Sequence, residues 1–157
     1  MGAARDYETR QAVLVKWNAS TSCKDAAPGG IFEGPKPEPR PATTYVIVAS
    51  KPDGRPNQRS TGNGAGTDNE IDYRRLTFVV YGLAEADVVT AVEAIDATFG
   101  DRRDTFPANA LAINGATWMR TEPIAEAPDL IERAERTEAG QWWKATLAYR
   151  VHSSRNH

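Results

Sequence analysis

At 157 residues, with 19 lysines and arginines against 21 acidic residues and a net charge of −2, the chain has the length of one ordinary domain with a single core, spanning 1–157. The near-neutral balance, without a long block of one sign, argues against a dedicated DNA-binding protein, which needs a basic surface to displace counterions from phosphates. One cysteine excludes a disulfide-stapled secreted scaffold, and no run approaches the roughly 20 apolar residues that cross a bilayer.

The first residues, MGAARDYETRQ, hold no apolar signal core, so the chain reads as soluble and cytoplasmic where it is made. Gly2 does not open a myristoylation pattern, because Asp6 stands where a Ser or Thr is needed. Asp6 instead reads as the cap of a helix with Glu8 in its first turn and Tyr7, Val13, Leu14 and Trp17 on its buried stripe. The helix ends in the polar run after Asn18, before Pro28, Gly29 and Gly30. Ile31 and Phe32 are expected at the core edge. Pro35, Pro37, Pro39 and Pro41 then force an extended, polyproline-like lead-in.

Thr43 to Ser50, TTYVIVAS, is a β-branched apolar run of strand length and reads as a buried strand. Lys51 to Glu70 follows as a neutral, polar, glycine-rich connection, far longer than a hairpin needs and read as a flexible loop. Its glycines Gly62, Gly64 and Gly66 lack the Lys-Ser or Lys-Thr pair and the helix of a phosphate-binding loop. From Tyr73 to Tyr81 the side chains alternate, with Leu76, Phe78 and Val80 toward the core and Tyr73, Arg75, Thr77, Val79 and Tyr81 on the other face. After Gly82 the period changes to that of a helix, with Val88, Ala91, Val92, Ile95 and Phe99 on one stripe, Glu85 and Asp87 at its positive end, and Gly100 as a left-handed stop.

Farther on, Phe106 anchors a polar connection and Trp118 points inward. Asn114-Gly115 marks either a tight hairpin or a bulge in one long strand. Residues 122–140 fit a short helix through Leu130, Ile131 and Ala134 or an irregular edge strand through Ile124 and Leu130. Trp143, Ala145, Leu147, Tyr149 and Val151 alternate with Trp142, Lys144, Thr146, Ala148 and Arg150 in a closing half-buried strand, and 152–157 reads as a frayed tail. The order predicts an α+β fold, an antiparallel sheet with helices packed on one face and a long flexible inter-strand loop at 51–70.

No catalytic, cofactor or metal constellation emerges. Cys23, His152 and His157 lack metal-ligand spacing, and Cys23 has only His152 as a conceivable base. No Gly-x-Ser-x-Gly elbow is present. Glu122, Glu126, Asp129, Glu132, Glu135 and Glu138 alternate with Arg120, Arg133 and Arg136, the pattern of a solvated or subunit-facing surface.

The leading helix, the turn PGGIFEGPKPEP before TTYVIVAS, the unit YRRLTFVVYGLAEADVVTAVEAIDATFG and the closing WWKATLAYRV together resemble the tail terminators, the tail-completion proteins of long-tailed bacteriophages. The resemblance implies a non-enzymatic virion subunit that forms a ring, hexameric in known members, on the head-proximal end of the tail tube. It implies the tube protein and the head connector or neck protein as partners, DNA passing through the ring without sequence-specific contact, and assembly in the host cytoplasm. The candidate assembly interface comprises Arg55, Asn57, Gln58 and Arg59 in the loop, with Tyr73, Val79, Tyr81 and Trp142 expected as exposed aromatic and aliphatic surface. The alternatives are another neck or minor tail protein and a small-molecule-binding or enzymatic α+β domain.

Overall fold

The computed structural model describes residues 2–53, 71–101, 106–124 and 131–155. Three helices, α1 (Gly2–Ala19), α2 (Thr21–Ala26) and α3 (Glu85–Phe99), lie among six strands, β1 (Ile31–Glu33), β2 (Tyr45–Pro52), β3 (Ile71–Gly82), β4 (Ala116–Pro123), β5 (Glu132–Thr137) and β6 (Gly140–Arg155). The fold is α+β. The strands form one sheet in the order β1-β2-β3-β6-β4, with β5 sharing the β4 side of β6.

The longest ladder is β3 against β6, in register from Ile71 opposite Ser154 to Gly82 opposite Trp143. Because side chains alternate along both strands, this register puts Leu76, Phe78 and Val80 on one face with Ala145, Leu147, Tyr149 and Val151. All three helices pack on that face. Ala12, Val13 and Trp17 of α1, Cys23 of α2, and Val88, Ala91, Ile95 and Phe99 of α3 join the strand residues and Val46 and Val48 in one core. The ring of Phe78 lies 5.0 Å from Phe99 and 6.0 Å from Tyr149, tying strand, helix and closing strand together.

Several expectations are corrected. The sheet is mixed, because β1 runs parallel to β2. A parallel pair needs a crossover, and the proline-rich stretch between Glu33 and Tyr45 supplies it where a hairpin turn would have reversed the chain. Asp6 is not a cap. Helix α1 begins at Gly2, and the Asp6 carboxylate accepts from Arg74 Nη1 at 3.0 Å and Ser50 Oγ at 3.3 Å, while Tyr7 is exposed. Cys23 is in a helix rather than a loop: Ser20 Oγ accepts from the Cys23 N–H at 3.2 Å to cap α2, which is too short to show a period. Lys51 and Pro52 belong to β2.

Gly100 is not left-handed but extended, at φ −76. Glycine is needed there for space, since a Cβ would lie 2.7 Å from Asp96 Oδ1 and 2.9 Å from Asp96 O. The Asn114-Gly115 turn leads into β4 without a strand before it, and Leu111 and Ile113 are instead buried as loop residues. Residues 132–137, left open between helix and strand, are β5, joined to β6 through Gly140 at φ 128. Trp118 is half-buried against the ring of Phe106, itself exposed, at 5.6 Å. The carboxy-terminal residues do not fray up to Arg155. β6 continues because β3 and β4 flank it, and Ser153 is buried despite its polarity.

Phe78 is fully buried. Phe78→Ala is therefore expected to cost roughly 3–5 kcal/mol in chemical denaturation. A loss below about 1 kcal/mol would place the core on the other face of β3.

Candidate functional site

The far face of the sheet, away from the helices, divides into three zones along the strands. At one end is an aromatic cluster. Tyr45 stacks on Tyr81 with ring centroids 5.1 Å apart and meets Trp142 edge-on at 5.7 Å, while Phe32 closes on Tyr45 at 6.3 Å. Ile47, Val79, Leu83 and Ala134 pack around it.

The cluster is roofed by the proline-rich crossover. Lys36 Nζ sits 5.1 Å from the centre of the Tyr81 ring, and the Arg40 guanidinium sits 4.8 Å over Trp142. Each cation is attracted to the negative face of its ring. Both also reach Glu135 Oε1 of β5 at 2.6 Å, so one carboxylate clasps the strap at two points. Pro37 and Pro39 restrict the intervening backbone, which bends at Glu38 and Pro39 rather than running extended as the sequence suggests. Trp142 Nε1 donates to Thr137 Oγ1 at 3.0 Å, satisfying the indole inside the cluster. The Tyr45 hydroxyl and Arg40 Nη1 are buried without a hydrogen-bond partner among the described residues. Burial pushes the Tyr45 phenol up, and the charges of Arg40 and Lys36 offset part of that rise.

At the opposite end is a charged cluster centred on Glu122. His152 Nε2 lies 2.7 Å from Glu122 Oε1, Arg120 Nη2 lies 3.5 Å from Oε2, and Arg150 Nη1 lies 3.6 Å from Oε1. Arg150 also pairs with Asp53, Arg120 with Asp101 at 3.1 Å, and the Tyr73 ring packs edge-on to His152 at 4.8 Å. Burial alone would raise the Glu122 pKa, but the hydrogen bond from His152 and the charges of His152, Arg120 and Arg150 together hold it below the usual range. Between the two ends lies a band of small side chains, Ala49, Thr77, Thr146 and Ala148.

The sequence-predicted interface residues fall unequally on this face. Tyr81 and Trp142 are buried by the chain's own strap, at 8% and 1% exposure, so they are not the open surface expected of them. Val79 and Tyr73 are half-buried, beside the aromatic cluster and the charged cluster respectively. Arg55, Asn57, Gln58 and Arg59 lie outside the described residues. Sequence reasoning missed Lys36, Arg40 and Glu135. Their only local signal is a pair of cations four apart among alternating prolines, ahead of an aromatic strand.

Among the described residues no three His, Cys, Asp or Glu side chains are grouped to hold a metal ion, and no helix is long and apolar enough to cross a membrane. Shallow surface clefts occur among the described residues. One of about 310 Å³ is lined by Asp25, Thr44, Asp87 and Thr90, and one of about 460 Å³ lies by Tyr7, Arg10, Glu33 and Ser50.

No protein-family model matches the sequence, and no curated protein matches it. Among solved structures, the chain is similar to one from the virion of a native gene transfer agent particle, with a TM-score of 0.58 and 14% identity, over 91% of this chain and 92% of that one. At that identity the likeness concerns the fold, and it extends over nearly the whole of both chains.

The clasp makes a pH prediction. The hydrogen bonds from Lys36 and then Arg40 hold the Glu135 carboxyl down at about 2. A carboxyl depressed in the folded state contributes stability above its unfolded pKa of about 4.3, and that contribution fades as pH falls toward the folded value. Glu135 is 44% exposed, so solvent screening keeps the effect small. Glu135→Gln is expected to melt a few degrees below the wild type at neutral pH, with the gap closing between about pH 4.5 and 2. Glu122 titrates in both proteins, so it cancels in the difference. A constant gap across that window would mean that the clasp does not depend on the Glu135 charge.

Proposed function

We propose that this chain is a structural subunit of a phage virion or phage-like particle, and within it a tail terminator: a ring, hexameric by the sequence resemblance, that caps the head-proximal end of the tail tube and joins it to the head connector. The observation that carries the reading is the fold likeness to a gene transfer agent virion chain over 91% of this chain, since a likeness at that coverage concerns a whole subunit rather than a shared motif. The ordered sequence pattern of leading helix, proline crossover, strand-helix unit and closing strand supports the finer assignment. A rigid sheet with one face filled by helices and the other partly strapped suits a subunit that presents fixed surfaces to neighbours.

Such a ring acts by geometry rather than chemistry. It would offer the growing tube an end onto which no further tube subunit fits, and offer the connector a surface the bare tube lacks. Both roles are separable by experiment. Particles assembled without this chain are expected to carry tails of uncontrolled length without attached heads, as seen by electron microscopy, and the purified chain is expected to restore both and to sit as a ring on tube ends. Tails of normal length that only fail to join heads would make it a neck protein. Normal, head-bearing tails would overturn the virion role.

A further inference from the structure

We propose that in the ring each copy's proline strap leaves its own sheet and clasps the next copy's, so that Lys36 and Arg40 meet Glu135 of the neighbour. This rests on the ring reading above and specifies a contact that closes the ring.

The strap and its clasp belong to opposite edges of the sheet. The strap, residues 34–44, leaves from β1 and returns in β2, the first two strands in the order β1-β2-β3-β6-β4. Glu135 lies on β5, which pairs with β6 on the side away from β3. Three strand spacings, roughly 14 Å, therefore separate β2 from β5. Within one chain the strap bridges them by folding back over the sheet, where Lys36 reaches Tyr81 and Arg40 reaches Trp142. Copies set edge to edge, β1 of one beside β5 of the next, bring each strap at least as near to the neighbour's Glu135 as to its own.

The strap is long enough and loosely enough held. Glu33 stands opposite Val48, so Glu33 and Tyr45, the strap's two anchors, are roughly 11 Å apart. The chain between them spans at most about 40 Å, and a loop of that contour can project nearly 20 Å from its anchors. Among the described residues no main-chain hydrogen bond holds 35–43 to the sheet. The attachment is by side chains, and the Lys36 and Glu135 side chains are 40% and 44% exposed. Opening the clasp thus breaks no strand ladder and leaves the helical core closed.

The seat already fits this strap, so the exchange needs no new complementary surface, and in a closed ring every seat that gives up its own strap receives another. The closed form also leaves the buried Tyr45 hydroxyl and Arg40 Nη1 without hydrogen-bond partners, although the charge of Arg40 acts on the phenol. A buried donor left unbonded costs free energy. Arg40 is tied to Tyr45 through the few residues between them, and an Arg40 arriving from the neighbour is free of that tether and can bring Nη1 onto the hydroxyl. A strap given at one edge and received at the other is a heterologous contact, which closes into a ring where the rotation allows. Neighbours held side by side supply the high effective concentration that exchange requires.

The wild-type chain tests this without a substitution. Equal amounts of unlabelled and nitrogen-15-labelled chain are mixed as free protein and assembled, with rings detected by native mass and by electron microscopy of tube ends. A carbodiimide then couples each Lys36 amine to the Glu135 carboxylate it touches, as an amide, and the joined peptides are read by mass spectrometry. In free chains every Lys36–Glu135 pair is expected to carry a single label. In rings about half of these pairs are expected to join an unlabelled strap to a labelled seat or the reverse, as random mixing of exchanged neighbours dictates. Pairs of single label throughout the rings show that each strap stays at home and overturn the inference, while the ring reading stands. A chain that forms no ring in either assay overturns the ring reading itself.

Discussion

The register between β3 and β6 is the constraint on which the rest depends. Every one of the 12 residues of β3 is paired with β6, and a shift by one residue would turn the faces of β3 over relative to β6. The core would then receive Tyr73, Arg75, Thr77 and Val79 in place of Leu76, Phe78 and Val80. The same register also lines up the far face, since it sets Tyr81 beside Lys144 and Tyr73 beside His152. Core and candidate surface are two consequences of one ladder. β6 is long enough to hold β5 at its start and β4 at its end on the side away from β3, so the least regular parts of the chain are also anchored to it.

A buried charge interrupts the core face and ties it to the first helix. Arg74 is only 6% exposed, donates Nε and Nη2 to the two oxygens of Asp72 at 2.7 and 3.1 Å, and donates Nη1 to Asp6 at 3.0 Å. A guanidinium at that depth is tolerated because its donors meet two carboxylates, which together offset the cost of burying its charge. This accounts for an aspartate inside α1, where helix propensity alone would disfavour it. The ion pair ties α1 to β3 through Arg74, beside the apolar packing of Val13 and Trp17 in the core.

What could be read in the sequence was what local periodicity encodes. The alternation in β3 and β6 and the apolar stripe of α3 each span enough residues to outvote exceptions, and the one-sided helix packing follows from them. Contacts between distant segments were not legible. Asp6 resembles a cap until Arg74 is brought to it across the sheet, and Gly100 resembles a left-handed stop until Asp96 is seen to fill the space a Cβ would need. The polar end of β6 looks frayed because Ser153 and Ser154 carry no strand signal, yet two neighbouring strands supply the hydrogen bonds that order them. Residues 132–137 show neither period, being mostly charged, and become a strand through the hairpin with β6.

The aromatic residues of the far face carry a further lesson for assembly. An alternating strand with Tyr81 or Trp142 on its second face signals that something covers those rings, without saying whether the cover is a neighbouring subunit or the chain itself. Here the cover is the proline crossover, whose charged and extended sequence gives no sign of being a lid. Once Lys36 and Arg40 have taken the ring faces and Glu135 has clasped them, the surface left for partners is mainly charged and small rather than aromatic. Assembly through such a surface draws on electrostatic steering and weakens with added salt, since exposed charges are screened beyond a Debye length of about 8 Å at physiological ionic strength. The strap thereby does two things at once: it stabilises the sheet, and it removes the apolar surface that would otherwise drive association at the wrong place.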